Sequence, residues 1–135
     1  METSFKEGME YSRWFDITKE MVMQFAELTG DRNPVHLDEA YAKETRFGKC
    51  IAPGMLIGGL ISRIIGMDFP GNGSIYMGQE LKFYRPVYVG GRICITCVIE
   101  SVDRGKGRLR INNTVTSEDK SVLTSGVSEV KLLKY

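Results

Sequence analysis

Asp31 and His36 stand five residues apart across a proline, and their side-chain types suit proton transfer at neutral pH. An imidazole titrates near neutrality and a carboxylate beside it can share a water molecule, which is what general acid and base work requires. On a continuous helix a separation of five sets two side chains well apart around the axis. Pro34 breaks that path and biases Asn33 toward extended geometry, so a tight loop from Asp31 to His36 is predicted, and the loop lets the pair converge. Taken by pattern alone, an aspartate after a helix-ending glycine is equally a turn residue, and the single histidine is equally polar surface.

The remaining reactive side chains are Cys50, Cys94 and Cys97. The last two form the string CITC, but they lie in the alternating run RICITCVIE, where residues three apart face opposite sides of a strand. A redox or zinc pair needs both sulfurs converging from a turn or helix start, so these read as ordinary strand cysteines. An odd total of three suits a reducing compartment. The sequence shows no glycine-rich nucleotide loop and no metal-ligand cluster, and no cofactor is expected.

The elements that must position Asp31 and His36 are legible on both sides of them. A first strand or extended arm is read from Phe5 to Ile17. Thr18 then caps a helix whose apolar stripe is Met21, Val22, Phe25, Ala26 and Leu28, and Gly30 ends it where a left-handed residue is wanted. Asp38 can cap a short helix through Tyr41 and Lys43. IAPGMLIGGLISRIIGMDFPG follows, a helix from Pro53 or Gly54 to about Met67 that is apolar on almost every side and is therefore expected to be buried. Gly58 and Gly59 weaken it by about 1 kcal/mol each relative to alanine, which suggests that another backbone or a ligand comes close. Strands are read at Ser74 to Tyr84, Arg92 to Arg104, Gly107 to Ser117 and Ser121 to Leu133, the last three as an antiparallel meander. A sheet curling around one buried helix is the α+β arrangement called a hot-dog fold.

At 135 residues the chain is expected to fold as one domain over 1–135. Hydrophobic residues at 42% and charged residues at 26% match an ordinary globular protein and exclude disorder and disulfide scaffolds. A net charge of +1 gives no bulk field for nucleic acid or an anionic membrane, so neither is an expected partner. The start METSFKEGME lacks the pattern of a signal peptide, and Ile51 to Ile61 is too short to span a bilayer, so a cytoplasmic location is expected.

The string LTGDRNPVHLDEAYA resembles the signature of the MaoC-like dehydratases and (R)-specific enoyl-CoA hydratases, in which an aspartate and a histidine flank an asparagine and proline. FGKCIAPGMLIGGLISRIIG looks like the central helix of that family and GNGSIYMGQELKFYRPVYVGGRI like the strand and turn after it. The resemblance implies reversible addition of water to a trans-2-enoyl thioester of CoA, or of acyl carrier protein, giving an (R)-3-hydroxyacyl thioester. It implies that Asp31 and His36 hold the water, that the backbone N–H of Gly54 meets the thioester carbonyl, and that Ser62 supports the pair. It also implies a homodimer and a place in fatty-acid metabolism. Asn33 reads first as a turn residue shaping the loop, and Ser62 alone reads as a serine bonding its own helix.

Two rivals share the architecture. A thioesterase would place its carboxylate on the central helix, but positions 54 to 66 carry no Asp or Glu. A non-catalytic acyl-thioester binding subunit is expected to lack the catalytic pair, and both residues are present. Lys82, Arg85, Arg104 and Lys106 could meet CoA phosphates, but basic residues at strand ends are usually solvated, so none is singled out.

Overall fold

Helix α1 (Lys19–Thr29) forms where its caps dictate: the Thr18 side chain accepts from the Met21 N–H at 3.1 Å, and Gly30 at φ 80° returns its N–H to the Ala26 carbonyl. Residues 4–134 are described by this computed structural model; residues 1–3 of the amino-terminal stretch and residue 135 lie outside the described residues. α1 buries Val22 and Ala26. Leu28, expected in the apolar stripe, is 85% exposed, because two positions beyond Ala26 carries a side chain nearly to the opposite side of the axis. Two short helices follow, α2 (Pro34–Leu37) and α3 (Glu39–Lys43), the second capped by the Asp38 side chain on the Tyr41 N–H. Helix α4 (Gly54–Arg63) runs into a π-helical turn, Ile64–Asp68.

Strands β1 (Glu10–Asp16), β2 (Ser74–Phe83), β3 (Arg92–Asp103), β4 (Arg108–Ser117) and β5 (Val122–Leu132) make one antiparallel sheet in the order β1-β3-β4-β5-β2. β3 to β5 are the expected meander, β1 seals one edge, and β2 crosses over to pair with β5. Ile57, Ile61, Ile64 and Ile65 of the central helix and its turn pack with Ile93, Ile95, Ile111 and Val130 of the sheet, which is the hot-dog fold. Each such side chain removed from water contributes roughly 2 kcal/mol.

The central helix is not buried on all sides, however. Ile57, Gly58 and Ile61 face the sheet, whereas Met55, Gly59 and Ser62 are exposed on the opposite side. One sheet covers only one side of a cylinder, so an all-round apolar helix keeps a bare face within a single chain. Gly58 approaches the side chains of Leu81 and Met55, and at Gly59 nothing lies within 4 Å of where a Cβ would stand, so neither glycine meets another backbone among the described residues.

Two features fix the β2–β5 half of the sheet. At Gly126, opposite Leu81, a Cβ would lie 2.1 Å from the Glu80 carbonyl oxygen. Beside it a polar cluster interrupts the aliphatic core. Gln79 donates to Asn113 Oδ1 at 2.8 Å, Ser128 donates to Gln79 Oε1 at 2.6 Å, Tyr76 donates to the same Gln79 oxygen, and Asn113 donates to Cys97 Sγ. Burial pushes the Cys97 thiol up to about 11 and raises Tyr76 as well.

The β4–β5 turn is closed by Asp119, whose Oδ1 accepts from the Ser117 hydroxyl and from the Ser121 N–H at 3.0 Å. The Ser117 and Ser121 bonds hold this carboxyl at about 2, below its ordinary 3.8. A carboxyl depressed by folding stabilises wherever the unfolded chain would also be ionised, and the gain is lost as pH falls through the folded value. Asp119→Ala is therefore expected to lower the thermal midpoint by a constant amount above about pH 4, with the gap from wild type closing between about pH 4 and 2. Melts of both proteins across that range check it; a gap unchanged at pH 2 would assign the effect to the turn backbone.

Candidate active site

Asp31 is delivered to the site by the end of α1. The left-handed Gly30 turns the chain, the Asp31 N–H donates to Thr29 Oγ1 at 3.1 Å, and that hydroxyl donates to the Phe25 carbonyl at 2.8 Å. Asp31 Oδ1 accepts from the Asn33 N–H at 3.2 Å, an Asx turn that sets the carboxylate's direction and leaves its other oxygen without a bond among the described residues.

His36 does not lie in a loop as expected. It is the third residue of α2, because Pro34 occupies the first helical position, where the missing N–H costs nothing, and so starts a helix. Asn33 caps this turn, its side chain accepting from the Val35 N–H at 3.4 Å while its carbonyl accepts from the His36 N–H at 3.0 Å. Asn33 thus shapes the segment and does not line the cavity. The imidazole Nδ1 lies 2.7 Å from the Ile51 carbonyl oxygen. A carbonyl can only accept, so Nδ1 carries the hydrogen, and in the neutral ring Nε2 keeps its lone pair. Ile51 is itself fixed, with its N–H on the Val35 carbonyl at 3.2 Å and a bridge to Tyr88.

A cavity of about 840 Å³ is lined by Asp31, His36 and Gly54 together. Gly54 opens α4 with no side-chain cap from Pro53; Gly54 and Met55 line the cavity at the positive end of the helix dipole, while the Leu56 N–H is held by the Pro53 carbonyl at 3.1 Å. A Cβ at Gly54 would stand 2.9 Å from the Phe83 ring, so only glycine lets β2 close over the helix start. Ser62 is not brought to this cavity: it lies eight residues further along α4, about 12 Å by helical rise, on the exposed face.

A water between the free Asp31 oxygen and His36 Nε2 could donate one O–H to each acceptor, leaving its own lone pair directed at an electrophile. A helix start lining the same cavity can favour negative charge on a bound group's oxygen. Arg85, weighed above as a basic strand-end residue, lines the cavity, and so do Arg46, Thr124 and the Phe83 ring, none of which is singled out in the sequence. The Ile51 carbonyl, a backbone atom, leaves no signal at all.

Residues 1–122 match the family model described as the MaoC like domain. The chain is 39% identical over 119 residues to the 3-hydroxybutyryl-CoA dehydratase of Methylorubrum extorquens, covering 88% of this chain and 75% of that protein. It is 36% identical over 111 residues to the (R)-specific enoyl-CoA hydratase of Aeromonas caviae, covering 82% and 83%. Among solved structures, an (R)-hydratase from A. caviae superposes with a TM-score of 0.92 at 32% identity, covering 96% of this chain and 98% of that one. The unliganded R-hydratase of Pseudomonas aeruginosa also gives 0.92, at 36% identity, covering 97% and 84%.

Proposed function

The chain belongs to the MaoC-like domain family, and from that premise we propose an (R)-specific enoyl-CoA hydratase acting equally as a 3-hydroxyacyl-CoA dehydratase. It is a hydro-lyase: water adds reversibly across the double bond of a trans-2-enoyl thioester. The observation that carries the catalytic assignment is the shared cavity, in which a carboxylate and an imidazole with its Nδ1–H engaged stand with an uncapped helix start.

In this reading Asp31 takes one water proton while His36 Nε2 orients the water through its second O–H, and the oxygen forms a bond to carbon 3. The π electrons move to give an enolate whose negative charge rests on the thioester oxygen. The Gly54 N–H receives that charge, a contribution commonly worth about 3 kcal/mol per donor. The pair then returns the proton to carbon 2, and dehydration runs the same steps backward. No electron is transferred overall, so the chemistry calls for no redox cofactor, and the helix start does the work a Lewis acid would otherwise do.

A homodimer is part of the proposal. Met55 on α4 and Phe83 on β2 are exposed apolar side chains beside the cavity, and β2 leaves an open sheet edge, which a second copy would cover. A cytoplasmic setting accords with three free cysteines, and no described helix is long and apolar enough to cross a membrane.

The test is to follow loss of crotonyl-CoA absorbance with purified protein and to determine the product's configuration. The expected result is saturable hydration giving (R)-3-hydroxybutyryl-CoA. Release of CoA thiol without hydration would make the protein a thioesterase, and tight binding without turnover would make it a binding subunit.

A further inference from the structure

Three polar side chains are buried among the described residues: Asn113, Thr124 and Ser128. Ser128 donates to Gln79 Oε1 at 2.6 Å and Asn113 accepts from Gln79 at 2.8 Å, so these two are satisfied inside the cluster on β2, β4 and β5. The Thr124 hydroxyl is enclosed and has no hydrogen-bond partner among the described residues, although the residue lines the cavity that holds Asp31, His36 and Gly54. An enclosed hydroxyl without a partner destabilises the free protein, and in a cavity wall the missing partner is one that a ligand can supply.

β5 is an interior strand, and Thr124 is paired on both sides, with Val115 of β4 and with Phe83 of β2. The ladders engage the backbone beside it, and the cavity residues buried with it, Ala52, Ile57 and Val87, are apolar. Directly opposed residues of neighbouring strands point to the same face of a sheet. Thr124 therefore shares a face with Phe83, whose ring lies against Gly54, just as Leu81, opposite Gly126, lies against Gly58 one turn further along α4. This register puts Thr124 behind the first turn of α4, the turn that brings Gly54 to the cavity. A staggered rotation about its Cα–Cβ bond carries the hydroxyl around the residue without moving the strand.

Resting on the hydratase reading, we infer that Thr124 is a second donor to the thioester oxygen, its hydroxyl binding there beside the Gly54 N–H. That oxygen is the ligand atom a helix start draws in, and Thr124 stands by the same turn. A hydroxyl suits the place. It donates one hydrogen bond to a carbonyl and follows the growing negative charge, and it keeps its proton near neutral pH, so it does not compete with Asp31 or His36 for the proton of the water. An alkyl chain reaching Thr124 instead would leave the hydroxyl as unsatisfied as before.

The test uses Thr124→Val, which keeps the shape and removes the hydroxyl, and Thr124→Ser, which keeps the hydroxyl. In Thr124→Val, kcat for crotonyl-CoA hydration is expected to fall by about tenfold to a hundredfold while the thermal midpoint of the free protein holds or rises, since the hydroxyl removed had no partner. Thr124→Ser is expected to recover most of the rate. Calorimetry then compares butyryl-CoA with S-butyl-CoA, the thioether that lacks the carbonyl. Thr124→Val is expected to weaken the first by about threefold to tenfold and to leave the second unchanged. Equal weakening of both, a midpoint that falls together with the rate, or a rate untouched by valine would overturn the inference. If wild type hydrates no thioester, the hydratase reading fails by itself, and the calorimetric pair still decides Thr124. A wild type that binds the two analogues equally, or binds neither, overturns the inference whatever its activity.

Discussion

Asp31→Asn is expected to lower kcat for crotonyl-CoA hydration by about 10² to 10⁴, the range usual for loss of a positioned acid or base, with little change in the melting temperature. The amide preserves shape and still offers an oxygen to the Asn33 N–H, so the Asx turn that aims the side chain survives. What disappears is basicity at the oxygen facing the cavity. His36→Gln should cost a similar factor, because glutamine cannot hold the Ile51 carbonyl and present a lone pair from one rigid ring. If the two side chains act on one water, the double variant is expected to lose little beyond the worse single variant. Single-turnover hydration measured alongside a thermal melt checks this. An Asp31→Asn protein within threefold of wild type would remove Asp31 from the chemistry.

The second large effect concerns stability. Gly126→Ala is expected to destabilise the fold by about 3 kcal/mol or more, since the new methyl would collide with the Glu80 carbonyl at 2.1 Å, and backbone, unlike a side-chain tip, cannot swing aside. The Leu81 methyl at 2.9 Å closes the other direction. Relief requires β2 to lift from β5, which strips hydrogen bonds from the strand that also carries Phe83 over the helix start. A drop on the order of 10 °C in the thermal midpoint is the expected reading. Gly59→Ala, in open space on a helix, should instead be neutral or slightly stabilising, and provides the control. A neutral Gly126→Ala would mean that β2 and β5 are farther apart than described.

The strands and caps were legible because their signals are local. Thr18, Gly30 and Asp38 act on neighbours within four residues, and alternation in RICITCVIE reports a strand wherever it lies. The position of β2 beside β5, and the bare side of α4, depend on contacts between distant segments, which a pattern of neighbours does not encode. Within the site, Asp31 and His36 stood out by type and spacing. Pro34 reads as a breaker because its lost hydrogen bond weighs against a helix interior; at the first helical position the same loss is harmless, so His36 sits in a helical turn. Arg46 and Thr124 look like any polar surface residue until folding brings them to one cavity.

The Tyr76–Gln79–Ser128–Asn113 cluster bears on how the chain avoids wrong pairings. Aliphatic contacts alone would let an edge strand such as β2 slide by two residues with modest loss, since the same face would still point inward. Sliding would carry Gln79 away from Ser128 and Asn113, stranding donors and acceptors of two buried side chains. Each stranded group costs about 1–3 kcal/mol, so the misaligned sheet is penalised far more than the correct one is rewarded. The cluster works as a vernier for assembly, admitting one alignment of the outermost strand.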